Sequence, residues 1–125
     1  MKKVLIISTV LTFLIFSCTK EATQPEITIN EPQKNKYKVG ETLLINVVAT
    51  DAKEMHDVKV WLITRPQNDT LYQQKKHSHA KKLVLEGSFF IPALPDKQKV
   101  DFLVLAENEK GKTATARHSL EIHDH

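Results

Sequence analysis

From residue 27 onward, hydrophobic and polar residues alternate with a period of two over most of the chain. That is the pattern of strands with one buried face. Ile27-Thr28-Ile29 alternates and runs out at Pro32, which predicts an edge strand, because proline has no N–H to give a neighbour. Lys38-Val39-Gly40-Glu41 reads as a turn, with Gly40 free to take a positive φ. Thr42–Thr50 places Leu43, Ile45, Val47 and Ala49 on one face, and Asp51–Glu54 is a polar connection. Asp57–Thr64 offers two faces, Val58, Val60 and Leu62 against Trp61 and Ile63; the first carries no charge and is taken as the core face. Pro66 and Asn68-Asp69 mark another turn, before a short edge strand at Thr70–Gln74. Lys75–Lys82 (KKHSHAKK) lacks an apolar period and reads as a loop or strand end. Leu83–Ile91 resumes the strand pattern up to the rigid turn Pro92–Asp96. Lys99–Glu107 is apolar on both faces, as for a central strand buried on both sides. Asn108–Gly111 is a hairpin turn with Gly111 in the left-handed position, and Thr113–Ile122 is the last strand, with Ala114, Ala116, Leu120 and Ile122 aligned. No helical period persists anywhere in this region.

About seven short strands spaced by turn signals over roughly 100 residues predict an all-β, immunoglobulin-like β-sandwich of antiparallel strands. Val47–Asp51 and Val104–Gly111 resemble the strand ends of cadherin-like and other bacterial immunoglobulin-like domains. That resemblance implies the fold and leaves the function open.

The first residues follow a different pattern. Lys2 and Lys3 precede thirteen uncharged residues, Val4 to Phe16, too few to cross a bilayer as a helix. They predict a signal peptide over residues 1–17. Ile15-Phe16-Ser17-Cys18 resembles the lipobox of bacterial lipoproteins, which implies cleavage before Cys18 and acylation of Cys18. Residues 18–26 then form a polar tether and residues 27–125 the domain. The expected location is the bacterial cell envelope, held in the outer membrane by the lipid on Cys18. Cys18 is the only cysteine, so a lipidated chain has no disulfide and depends on its core. Residues 1–17 hold two of the 18 basic residues and none of the 15 acidic ones, so the mature chain has 16 against 15. A surface this balanced argues against nucleic acid as a partner.

Six histidines carry the candidate chemistry: His56, His77, His79, His118, His123 and His125. His77-Ser78-His79 and His123-Asp124-His125 have the form H-x-H, and in extended chain residues i and i+2 point the same way. Imidazole suits Zn and Cu, and three protein ligands make a metal site. If Thr70–Gln74 turns back along the strand after His56, then His77 and His79 arrive beside His56. His118 lies on a strand starting at the same end and is a further candidate ligand; by its parity with Ala116 and Leu120 it also reads as a hydrogen-bonded histidine on the core face. The His123/His125 pair falls at the opposite end. Lys75, Lys76, Lys81 and Lys82 around His77 and His79 work against a cation, and equally fit a basic loop on anionic lipid or polysaccharide. No nucleophile motif, paired catalytic carboxylates or phosphate loop is present, and the chain is expected not to be an enzyme.

The signal, Cys18, the immunoglobulin-like pattern and the mid-chain His77-Ser78-His79 together resemble an uncharacterised family of small immunoglobulin-like lipoproteins of the Bacteroidota. In that family the H-x-H follows the third strand and later strands run into an Asp-x-x-Gly turn, here Asn108-Glu109-Lys110-Gly111. The expectation is a lipid-anchored, non-catalytic binding module with a Zn or Cu site at His56, His77, His79 and His118. The rival is an interaction or adhesion module binding envelope protein or glycan, with incidental histidines.

Overall fold

The computed structural model describes residues 23–125. The signal peptide, Cys18 and the first part of the tether lie outside the described residues.

The chain is a β-sandwich of eight strands: β1 (Glu26–Glu31), β2 (Lys36–Lys38), β3 (Thr42–Thr50), β4 (Met55–Arg65), β5 (Thr70–His77), β6 (Lys82–Phe90), β7 (Gln98–Asn108) and β8 (Thr113–His123). One sheet has the order β1-β3-β6 and the other β2-β8-β7-β4-β5. All pairs are antiparallel except β2 with β8, which is parallel. β2 departs from the sequence reading. Its three residues contain one apolar side chain, buried Tyr37, too short a run for a period to register.

The predicted inner faces of β3 and β4 are the ones that meet, joined by one face of β7. Leu43, Ile45, Val47 and Ala49 of β3 pack against Val58, Val60 and Leu62 of β4 and Val100, Phe102, Val104 and Ala106 of β7, all nearly inaccessible to solvent. Trp61 lies on the outer face of β4. β7 corrects the expectation of burial on both sides: Leu103 and Leu105 face outward and are only half-buried, because nothing covers that face of the five-stranded sheet among the described residues. Gly40 (φ 93°) and Gly111 (φ 83°) both take the left-handed conformation their turns require.

The sandwich has two poles. At one lie the β3–β4 connection, the end of β5 with the loop to β6, and the β7–β8 turn. The start of β1 is there too, because Glu26 pairs with Thr50 and Thr50 with Lys82. Thr23 O accepts a hydrogen bond from Asn108 Nδ2 at 2.9 Å and Pro25 is buried, so fixed contacts begin before residue 27. The C-terminal histidines lie at the other pole.

Candidate metal centre

Backbone hydrogen bonds join the connections at the first pole. Asp51 N donates to Lys81 O (2.9 Å), Met55 N to Ala80 O (2.9 Å), Ser78 N to His56 O (3.1 Å) and Glu109 N to Glu54 O (3.0 Å). Residues 51–56 are thus held between the β5–β6 loop and the β7–β8 turn. β5 runs to His77, three residues beyond the predicted Gln74, and Asp57 pairs directly with His77.

A β-bulge sets the direction of His56. Met55 pairs with Asn108 and Asp57 with Glu107, so β4 has one residue more than β7 over this step, and His56 is left without a partner there. Such an extra residue re-aims its side chain, whereas strict alternation would send His56 and Asp57 to opposite faces. The outcome is a convergence of three imidazoles. The ring centroids of His56 and His77 lie 4.6 Å apart, those of His77 and His79 4.9 Å, and those of His56 and His79 6.3 Å. His56 and His77 meet edge to face at 89° and His77 and His79 at 87°.

Two sets of ligand atoms arise side by side. His56, Asp57 and His77 each offer an atom within 4.8 Å of the others, as do Glu54, His79 and Glu109. Two ligands of a tetrahedral zinc ion lie roughly 3.4 Å apart, so a small inward movement of the side chains would bring these atoms to that spacing. Asp57 is buried and has two neighbours at one oxygen: His56 Nε2 lies 4.0 Å and Lys75 Nζ 3.9 Å from Asp57 Oδ2. His79 Nδ1 is 4.0 Å from Glu54 Oε1. The Glu54 carboxyl is raised above the usual range, first by its hydrogen bond to Glu109 and then by the charge of Glu109; the charge of His79 acts the other way. Two carboxyls held this close retain a proton more readily, or take a cation in its place.

The lysines that argued against a cation are partly disposed of. Lys76 Nζ reaches Val84 O on β6 (2.8 Å), and Lys75 is the one beside Asp57. His118 does not join the cluster. It pairs with Phe102, five residues along β8 from Thr113, or roughly 17 Å at strand spacing. Its Nε2 lies 2.9 Å from Lys34 O, so the hydrogen-bonded alternative describes it, although it is half-buried rather than in the core. A shared pole for two strand starts says little about a residue halfway along one of them.

At the opposite pole, His125 Nδ1 is hydrogen-bonded to Asp124, Asp124 N donates to Asp96 Oδ1 (3.0 Å), and Asp96, Asp124 and His125 form a third set of converging ligand atoms. The hydrogen bond it donates to Asp124, then the charges of Asp124 and Asp96, raise the His125 imidazole above its ordinary value. His123 stands apart, with Nδ1 3.8 Å from Asp96 Oδ1 and a buried Nε2 that lies 2.8 Å from Glu121 Oε1 without the geometry of a hydrogen bond.

Asp57, Glu54 and Glu109 did not emerge from the sequence as parts of the site, and Lys75 emerged only as one of four lysines around the histidines. For Asp57 the signal was its place next to His56, which is informative only once the bulge is known.

No family model matches the chain, and no curated protein matches it. Among solved structures the fold is similar to Spo0M, a sporulation control protein from Bacillus subtilis, at 12% identity and a TM-score of 0.54, covering 85% of this chain and 51% of that one. An engineered protein is similar at 12% identity and a TM-score of 0.52, over 84% of this chain and 21% of its own. A Niemann-Pick type C2 protein from the Japanese carpenter ant is similar at 13% identity and a TM-score of 0.51, over 84% and 96%. The chain thus spans about half the length of Spo0M and a fifth of the engineered protein. At these identities the likeness concerns the fold alone.

Proposed function

We propose that this protein is a lipid-anchored, non-catalytic binding module of the bacterial envelope that takes a late transition metal, Zn or Cu. His56, Asp57 and His77 form the primary ligand set, with His79 beside them. The observation that carries this reading is the convergence of two imidazoles, His56 of β4 and His77 of β5, on the buried carboxylate of Asp57, with the His79 ring packed against His77. Imidazole nitrogen with one carboxylate is a donor set these ions favour.

Calorimetric titration of the chain from Thr19 onward with Zn and Cu(II) tests it. The expected result is a stoichiometric, submicromolar equivalent that is lost in His56→Ala and in His77→Ala. His118→Ala and a chain ending at Ile122 should keep it. No binding by the intact domain, or binding that disappears only with the C-terminal histidines, refutes the assignment.

One observation favours the rival reading. The uncovered face of the five-stranded sheet has an apolar hollow of about 550 Å³ lined by Trp61, Leu103, Leu105 and Arg117, among others. Aromatic and arginine side chains in such a place fit a protein or glycan partner. A partner bound there should be held equally well with and without added metal.

A further inference from the structure

The histidine pole is also the pole at which the chain arrives. β1 starts there, and Asn108 fixes the backbone three residues earlier, at Thr23. Only four residues lie between Cys18 and Thr23, five chain steps that span at most about 18 Å even when fully extended. The strands, eleven residues long in β4, β7 and β8, put the other pole roughly 35 Å further away. A lipid on Cys18 therefore holds the two poles at very different heights above the bilayer.

The charge at the near pole matches that surface. Lys53, Lys81, Lys82, Lys110 and Lys112 are exposed on the three connections that form it. Of the carboxylates among them, Asp57 is buried beside Lys75 and Asp51 accepts from Asn108 Nδ2, which leaves Glu26, Glu54 and Glu109 at the surface against these five lysines. Lysines outnumber carboxylates on the outward surface of the pole, and lysines next to a membrane anchor are drawn to anionic headgroups.

We propose that the pole bearing His56, His77 and His79 faces the bilayer to which Cys18 is tethered, with its exposed lysines on anionic headgroups. The metal centre then opens onto the membrane surface, and the C-terminal histidines point away from it. This rests on acylation of Cys18 and does not depend on whether metal binds.

Cys18 is the only cysteine, so in the acylated protein a new thiol is unique and can carry a fluorophore. Lys81→Cys and Lys112→Cys mark the near pole and Ala93→Cys the far one. Each protein is extracted from membranes and reconstituted into phosphatidylcholine vesicles with or without phosphatidylglycerol, with an energy acceptor on the headgroups. Transfer should be several-fold greater from positions 81 and 112 than from position 93. The gap should widen on anionic vesicles and narrow in high salt as the lysines are screened. Lys53→Gln/Lys82→Gln/Lys110→Gln in the same background should abolish the effect of phosphatidylglycerol; persistence of that effect overturns the lysine contact. Equal transfer from the two poles in protein whose N-terminal peptide has the acylated mass overturns the orientation and leaves the anchor standing. An unmodified Cys18 thiol overturns both.

Discussion

Asp57 Oδ2 has Lys75 Nζ at 3.9 Å and His56 Nε2 at 4.0 Å. A metal ion drawn to His56 and His77 meets that ammonium, and the two compete for the same carboxylate. At such separations and in the dielectric of water, which reaches the half-exposed Lys75, removing one like charge is worth about 1 kcal/mol. Lys75→Gln should therefore raise Zn affinity roughly fivefold in calorimetric titration; unchanged affinity would count against Asp57 as a ligand. Asp101 is the residue to examine for stability. Burial raises its carboxyl, but hydrogen bonds from Arg65 Nε (2.9 Å) and Ser119 Oγ (2.8 Å), with the charges of Arg65 and Arg117, outweigh that and lower it overall. A depressed folded-state value gives stability that is present above about pH 4 and is lost as pH falls through that value. Asp101→Asn should cost about 1–3 kcal/mol at neutral pH in urea unfolding, the worth of charge-assisted hydrogen bonds. The difference from the unsubstituted protein should shrink on acidification.

Two irregular features shape the site at the level of elements. The first is the bulge at His56, which turns consecutive residues of β4 toward the end of β5. The second is the β7–β8 turn, organised by Asn108, whose side chain bonds in four directions. Its Oδ1 accepts from Lys110 N (3.0 Å) and Lys112 N (2.9 Å), and its Nδ2 donates to Asp51 Oδ1 (3.0 Å) and Thr23 O (2.9 Å). At 3% exposure, water cannot replace these bonds. Asn108→Ala should destabilise the domain by about 2–4 kcal/mol, with several polar groups left unsatisfied. Amide hydrogen exchange should rise selectively at Lys110 and Lys112. A uniform rise across all strands would mean that the turn has no local role.

For the whole molecule, metal binding at one pole and the hydrophobic core between the sheets are linked through folding. The ligands come from residues 56, 57 and 77, which only the folded chain brings together. An ion bound to the native state alone stabilises it by about 2.7 kcal/mol at a hundredfold excess over Kd. Zn should therefore raise the melting temperature by several degrees at pH 7.5, and a chelator should reverse the gain. Ligand imidazoles must be neutral, so the increment should vanish below about pH 6. Scanning calorimetry with and without Zn at both pH values checks this. A Zn-dependent shift that persists in the His56→Ala/His77→Ala double variant would move the ion to Glu54, His79 and Glu109 or to the C-terminal set.

The alternation of apolar and polar residues determined most of the strands, the inner faces of β3 and β4, and the two glycine turns. Each of these depends on local backbone geometry and on one face leaving water. It made the meeting of His77 and His79 with His56 a conditional expectation, dependent on Thr70–Gln74 turning back along β4, and the pairing of β4 with β5 supplied that condition. Tertiary structure decided the rest. The bulge at Met55–Asp57 depends on how β4 meets β7, fifty residues away in sequence, and an alternation rule has no place for an unpaired residue. The short parallel β2 exists because Tyr37 fills a gap beside Ile122 on β8. His118 went to Lys34 rather than to the cluster because position along a strand, and not only the end at which it starts, sets a ligand's reach. The partners of the carboxylates, Lys75 for Asp57 and Glu109 for Glu54, follow from contacts between separate connections. Electrostatic surroundings of that kind are assembled only when the chain closes on itself.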